Sequence, residues 1–248
     1  MKKIVVLALI LCLSNVQAKD IYATFTVHAK QGANLAFNFS GIVKELHVDI
    51  MSVVKKDEIL ATLDSDELVA KNNASKVTLK YAHLDYERHK DLYKKKLIDK
   101  SLLDQYAMAY EAIKAHIEIE KTLYAKTILR APFDGVITKR MIELGDVVSG
   151  QMIKTAFNIQ SEHARILVVE FDQKYNNDVK IGDTFLYKVD GDDKQYTGKV
   201  YRIYPEARSD NRKIALQVIA QDLKVGLFGE GKLITPDNRN SPVKDSQE

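Results

Sequence analysis

Asn38-Phe39-Ser40-Gly41-Ile42-Val43 returns 94 residues later as Pro132-Phe133-Asp134-Gly135-Val136-Ile137, and this repetition decides the fold. The two copies stay in register without a gap: Gly41 falls with Gly135, Val43 with Ile137, Val48 with Ile142, Val53 with Val147, Val54 with Val148 and Ile59 with Ile153. In each copy a glycine opens a short run of alternating β-branched residues, a turn follows, and a second run closes the unit, which is the spacing of a half-barrel of strands. Neither half carries enough apolar residues to bury a core alone. The spacing therefore predicts one small β-domain made of two facing halves, with the intervening residues leaving and re-entering it as a helical excursion.

The excursion has no Gly or Pro between Asp64 and Ala131. Asp64 with Glu67 has the spacing of a capping box, which predicts a helix start there. Leu68, Asn72, Ser75, Leu79, Ala82, Tyr86, His89 and Tyr93 follow at steps of four and three, the rhythm of a helix-pair seam. A helix of roughly 30 residues spans about 45 Å. Leu97-Ile98-Asp99-Lys100 reads as the turn, with Asp99 or Ser101 capping the return helix and Ser101 to Asp104 giving a second candidate box. Leu102, Tyr106, Ala109, Ile113, His116, Glu120 and Leu123 then repeat the rhythm. Such a seam holds several small and polar residues, so the hairpin is weakly bonded for its length and gains further neighbours from other chains.

The 248 residues carry 37 basic and 34 acidic side chains, a net charge of +3, so no nucleic-acid footprint stands out. Lys94-Lys95-Lys96 reads as a solvated helix face rather than an anion site. Residues 1–18 read as a signal peptide cleaved after Ala18: Lys2 and Lys3 precede an apolar run from Ile4 to Leu13, and Val16-Gln17-Ala18 supplies the cleavage site. No later stretch approaches the roughly 20 apolar residues of a membrane span. Cys12 is the sole cysteine, and Leu11 before it disfavours lipidation, so the mature chain would have no thiol.

Residues 19–34 form an N-terminal strand segment with Tyr22, Phe25 and Val27, and 161–235 carry strand runs at Ile166–Glu170, Thr184–Lys188, Lys199–Ile203, Ile214–Ala220 and Gly231–Ile234. Turns at Ile181-Gly182-Asp183 and Asp190-Gly191-Asp192-Asp193 separate them, a spacing that suggests a small barrel. The polar tail, 236–248, reads as disordered.

Together these features make the chain resemble the periplasmic adaptors, or membrane fusion proteins, of Gram-negative tripartite efflux pumps. The residues that carry the resemblance are Gly41-Ile42-Val43, Ala61-Thr62-Leu63-Asp64, Ile128 to Ile137 with its Arg130-Ala131-Pro132-Phe133-Asp134-Gly135 core, Gly145-Asp146-Val147-Val148 and Leu223 to Phe228. The resemblance implies a mixed α and β, elongated fold: a split lipoyl- or biotinyl-like domain (35–63 and 128–160), an inserted antiparallel α-helical hairpin (64–127) and a following β-barrel domain (161–235). Gly41, Asp64, Arg130 to Gly135, Gly145 and Asp146 would then be structural motif residues. It also implies docking on an outer-membrane channel through Arg88, Leu92 and the position of Asp99, where relatives carry serine. Six copies would assemble beside an inner-membrane transporter, more in keeping with a resistance-nodulation-division pump than an ATP-driven one, on the periplasmic side of the inner membrane. Met51 and Asp57 stand where the family's first half has turn glycines, which predicts wider turns, and Val225 stands for a proline. In many relatives a membrane-proximal domain follows, to which only Ile21–Lys30 and a short C-terminal stretch could contribute here.

No catalytic constellation, cofactor site or metal site is legible, and the chain reads as a non-enzyme. His89 and His116 fall on facing seam positions and read as a packed pair before a metal site. Asp190, Asp192 and Asp193 are similar to part of a calcium loop but lack its length and terminal Glu. A lipoyl or biotinyl carrier is the competing reading, and it needs a modified lysine at the hairpin that the helical excursion replaces.

Overall fold

A computed structural model describes residues 18–236; residues 1–17 of the expected signal peptide and 237–248 of the expected tail lie outside them, while Ala18 and Pro236, the last residue of the one and the first of the other, belong to strands. The described residues form two units, one from residues 18–30 together with 163–236, the other from residues 31–162.

The second unit holds the repeat. Strands β2 (Gly32–Leu35), β9 (Phe157–Gln160), β7 (Gly135–Arg140) and β4 (Val53–Val54) make one sheet; β6 (Ile128–Arg130), β5 (Ile59–Leu63), β3 (Gly41–Leu46) and β8 (Val147–Val148) make the other. Each half lends its second run to the other half's first. Gly41 pairs with Val148 and Ile42 with Val147, while Val54 pairs with Gly135 and Val53 with Val136, the same bonds with the copies exchanged. The symmetry extends into the turns. Val43 N donates to Asp146 O at 2.9 Å and Ile137 N to Ser52 O at 3.0 Å; Gly145 N donates to Val43 O and Met51 N to Ile137 O. Val43, Val54, Leu60, Leu63, Ile137, Ile142, Phe157 and Ile159 fill the space between the sheets.

The repeat ends sooner than its sequence suggests. Ile153 lies in no strand and is exposed, because the chain loops from Val148 to Phe157 before β9, whereas only four residues separate β4 from β5. Met51 and Asp57 do not widen their turns. Both adopt the left-handed conformation, at φ 70° and 66°, and Ser52 N to Asp49 O and Glu58 N to Lys55 O, each 3.1 Å, close tight turns around them.

Helices α1 (Asp66–Lys94) and α2 (Lys100–Lys126) interrupt this unit between β5 and β6. The expected Asp64/Glu67 capping box does not form: Ser65 is the N-cap, and Asp64 Oδ1 instead accepts from Asp66 N at 3.2 Å. Lys44 pairs with Asp66 at 2.7 Å and with Asp64 at 3.6 Å, and Leu63 N donates to Thr127 O at 2.8 Å, so the entry of the hairpin is tied to β3 and its exit to the end of β5.

The seam follows the expected residues on α1 except near the tip, where half-buried Leu92 replaces exposed Tyr93. On α2, Leu102, Tyr106, Ile113, Glu120 and Leu123 hold the expected places, and two positions move on by one residue. Tyr110 and Ile117 face α1, while Ala109 and His116 are exposed. His89 and His116 therefore do not meet: His89 stacks on Tyr106 at 3.5 Å between ring centres, and His116 Nε2 lies 3.3 Å from Glu120. Glu120 is 2% exposed, and accepts from Ser75 Oγ at 2.9 Å and Asn72 Nδ2 at 3.4 Å, which satisfies the carboxylate inside the seam.

The first unit is a closed six-stranded antiparallel barrel in the order β1 (Ala18–Ala29), β10 (Ala164–Asp172), β13 (Lys213–Gln221), β12 (Gln195–Ala207), β11 (Thr184–Val189), β14 (Phe228–Pro236). The segment 19–34 is thus not a separate element. Its first part, β1, pairs with β10 through Thr24 and Glu170 and with β14 through Thr24 and Glu230, closing the barrel, and its last part is β2 of the other unit. The same strand is thereby committed to the barrel rather than to a membrane-proximal domain. Ile21, Ala23, Phe25 and Val27 point inward at every second position, against Leu167, Val169, Phe185, Leu216, Val218 and Leu233.

Candidate docking site at the hairpin tip

The tip is built by two dissimilar helix ends. At the end of α1, Lys96 takes the left-handed conformation (φ 58°), its N–H bonds Tyr93 O at 2.8 Å and Leu97 N bonds Leu92 O at 3.0 Å, the bond pair of a Schellman stop. At the start of α2, Asp99 is the N-cap, and its Oδ1 accepts from Leu102 N at 2.8 Å. Lys94 is the last residue of α1, so Lys95 and Lys96 belong to the turn and not to a continuous helix face. Lys96→Gly is expected to stabilise the hairpin by about 1 kcal/mol, since glycine alone adopts this conformation without a Cβ penalty; an unchanged thermal midpoint would count against the strain.

The three sequence-predicted docking residues all lie at or just below this turn. Arg88 is exposed and bonds Asp85 Oδ1 at 3.1 Å; Leu92 is half-buried, with its carbonyl inside the Schellman stop; the exposed Asp99 is engaged as a cap. Arg88 lies six residues, under two helical turns, before the end of α1 at Lys94, and Asp99 opens α2. Lys90 pairs with Glu87 at 2.9 Å, and that contact holds its ammonium above the usual lysine range. Sequence reasoning missed two residues here. Leu97, 67% exposed, crowns the turn as a bare apolar side chain, and Lys96 makes the stop where a glycine or asparagine would have signalled it.

The motif residues lie in the barrel sandwich and support its turns. Arg130 Nη1 donates to Asp57 O at 2.8 Å; Ala131 N donates to Glu58 O and accepts from Asp57 N through its carbonyl; Asp134 Oδ1 accepts from Lys56 N at 2.7 Å. Phe133 packs against the core and Pro132 is exposed. Asp146 Oδ2 accepts from Glu143 N at 2.8 Å, as Ser52 Oγ accepts from Asp49 N at the equivalent place in the first half. Gly145 has φ 85° in the turn where Met51 stands in the other copy. Gly41 and Asp64 flank the strands that receive the hairpin.

Two sheets of exchanged halves, opened between β5 and β6 by a helical hairpin, are the arrangement of the CzcB-like barrel-sandwich hybrid domain, whose family residues 31–159 match. The chain belongs to this family. Among curated relatives, the cobalt-zinc-cadmium resistance protein CzcB of Cupriavidus metallidurans is 27% identical over 170 residues, covering 61% of this chain and 32% of that protein. An uncharacterized protein of Haemophilus influenzae is 25% identical over 242 residues, covering 90% of this chain and 59% of its own length. The chain thus spans less than two thirds of the length of both. Among solved structures, a MacA–MexA chimera carrying the Pseudomonas aeruginosa MexA α-hairpin superposes with TM-score 0.83 at 20% identity, over 89% of this chain and 83% of that one. ZneB of Cupriavidus metallidurans gives 0.57 at 16% identity, over 88% and 71%. These likenesses share the fold. No helix among the described residues is long and apolar enough to cross a membrane.

Proposed function

We propose that this protein is the periplasmic adaptor of a tripartite efflux system, joining an inner-membrane transporter to an outer-membrane channel. The observation that carries the reading is a CzcB-like barrel sandwich that presents a long hairpin with Arg88, Leu92 and a bare Leu97 at its end. Its chemistry is mechanical. The barrel binds the transporter, barrel sandwiches pack side by side in a ring of six, and the hairpins form the wall of a conduit whose tips meet the channel; no step needs a cofactor or a catalytic group. A transporter of the resistance-nodulation-division class fits the expected cleaved signal better than an ATP-driven one, and the name of the CzcB relative makes cobalt, zinc and cadmium the first substrates to assay.

Arg88→Glu and Leu92→Ala are each expected to abolish export, read as loss of metal or drug resistance in a complemented deletion strain, with helix content by circular dichroism unchanged. Wild-type resistance in both variants would remove the docking role. A lipoyl or biotinyl adduct in the mass spectrum of the purified chain would favour the carrier reading instead.

A further inference from the structure

The outer face of the barrel sinks along one strand. On β1, exposed Tyr22 and His28 stand at either end of Thr24 and Thr26, all four on the side away from the core. At about 3.4 Å per residue the two ends lie roughly 20 Å apart. Thr24 pairs with Glu230 on one side and Glu170 on the other, and Thr26 with Phe228 and Val168. Small side chains thus have larger ones around them, and they floor a trough of about 490 Å³. Phe228 and Tyr22 are 62% and 60% exposed, two aromatic faces left bare beside it.

The trough is also unbalanced in charge. Glu170 holds Arg208 at 3.0 Å and Lys213 at 3.9 Å, so that wall is neutralised. Lys188 lies directly across from Glu230 in the sheet, but its ammonium bonds Asp193 at 3.1 Å, and Lys232 bonds Asp20 at 3.1 Å. Glu230 is left with one neutral partner, the Tyr22 hydroxyl, which donates to it at 2.7 Å. Asp190, whose N–H bonds Phe228 O at 3.0 Å, carries a carboxylate with no ion pair among the described residues. The bond to Glu230 holds the Tyr22 hydroxyl above the usual tyrosine range, and the charge of Asp190 adds to the effect, so both carboxylates act on this one end. No three His, Cys, Asp or Glu side chains among the described residues are placed to share a metal ion, so the pair does not amount to a metal site.

We infer that this trough binds a small organic cation, its positive centre between Glu230 and Asp190 and its apolar body on Phe228, Val168 and the Thr26 methyl. A positive charge is what two uncompensated carboxylates lack, and an aromatic face beside them adds an attraction of its own. The volume suits a molecule of drug size. The occupant is a small molecule and not a peptide strand: Tyr22 and His28 close the two ends, and β1 is bonded on both sides, to β10 and β14, which leaves no free edge for strand addition. The site is a property of the barrel alone and stands independently of the adaptor reading.

The probe is ethidium, a planar aromatic cation whose fluorescence anisotropy reports binding to the purified protein. Saturable binding at one site is expected, weakened about tenfold in Glu230→Gln, where the amide oxygen still accepts from Tyr22, and likewise in Asp190→Asn. Thr24→Phe fills the floor of the trough with a residue that strands accept, and it is expected to abolish binding with the circular dichroism unchanged. Anilinonaphthalenesulfonate, an aromatic anion, is expected not to compete. Absence of saturable binding, unchanged affinity in Glu230→Gln or Asp190→Asn, retained binding by folded Thr24→Phe, or competition by the anion would each overturn the site. Arg88→Glu lies in the other unit and is expected to leave ethidium binding unchanged, so loss of export in that variant and loss of binding in Thr24→Phe judge the two readings separately.

Discussion

Gly135→Val is expected to prevent the barrel sandwich from folding, whereas Gly41→Ala, at the matching place in the other half, is expected to cost about 1 kcal/mol. The repeat makes the two glycines equivalent, and their surroundings make them different. A Cβ on Gly135 would stand 2.3 Å from the backbone oxygen of Gln160 and 3.0 Å from its carbonyl carbon, positions fixed by the β7–β9 ladder. A Cβ on Gly41 would meet only the side chain of Leu63, at 3.3 Å, which yields by small rotations. Relief at Gly135 requires β9 to leave β7, and β9 carries Phe157 and Ile159, both fully buried. Disrupting a backbone contact and two core anchors exceeds the roughly 4 to 5 kcal/mol that marks exceptional substitutions, a large share of the 5 to 15 kcal/mol that holds a typical domain together. Denaturant titration and one-dimensional proton spectra would check both. A folded Gly135→Val chain would show that β9 can shift.

Phe185→Ala is expected to remove about 3 to 5 kcal/mol from the barrel unit. Phe185 is fully buried, meets Phe25 edge-on at 5.9 Å and stacks on Tyr187 at 5.4 Å, so its loss leaves a cavity walled by strands from β1 and β11 that are bonded on both sides. Rigid walls do not collapse into the space, which places the cost toward the upper end. A fall of less than about 2 kcal/mol in unfolding free energy, measured by urea titration, would mean the barrel relaxes more than its closed hydrogen-bonding suggests.

What was legible in the sequence follows physical range. Gly41 and Gly135 mark strands whose bonds repeat almost unchanged, so the half-motifs could be found by matching; Asp99 is a local cap and was legible for the same reason. The seam of α2 departs from its pattern only at Ala109 and His116, because the helix is apolar on its outer side as well: with Met108 and Ile119 outside and Tyr110 and Ile117 inside, steps of four and three through Ala109 and His116 fit nearly as well. The place of β1 in the barrel is not legible because the partners of Thr24, Glu170 and Glu230, are about 150 and 200 residues away, and nothing in the strand itself announces such pairing. The tip site is legible as positions only. Whether Arg88, Leu92 and Asp99 act together depends on the surface they meet.

The exchange of runs between the two halves has a cost in time. No bond between β4 and β7 can form until the chain is available as far as Val136, and none between β3 and β8 until it is available as far as Val148, so the first half waits for its complement. During that interval Val43, Val54, Leu60 and Leu63 have no opposing sheet. The helices between the halves are local structures that close in microseconds and bring Leu63 beside Thr127, which shortens a closure of more than 60 residues to a single hydrogen bond. The hairpin that reaches outward in the finished protein therefore also acts inward during folding, as the element that delivers the second half to the first.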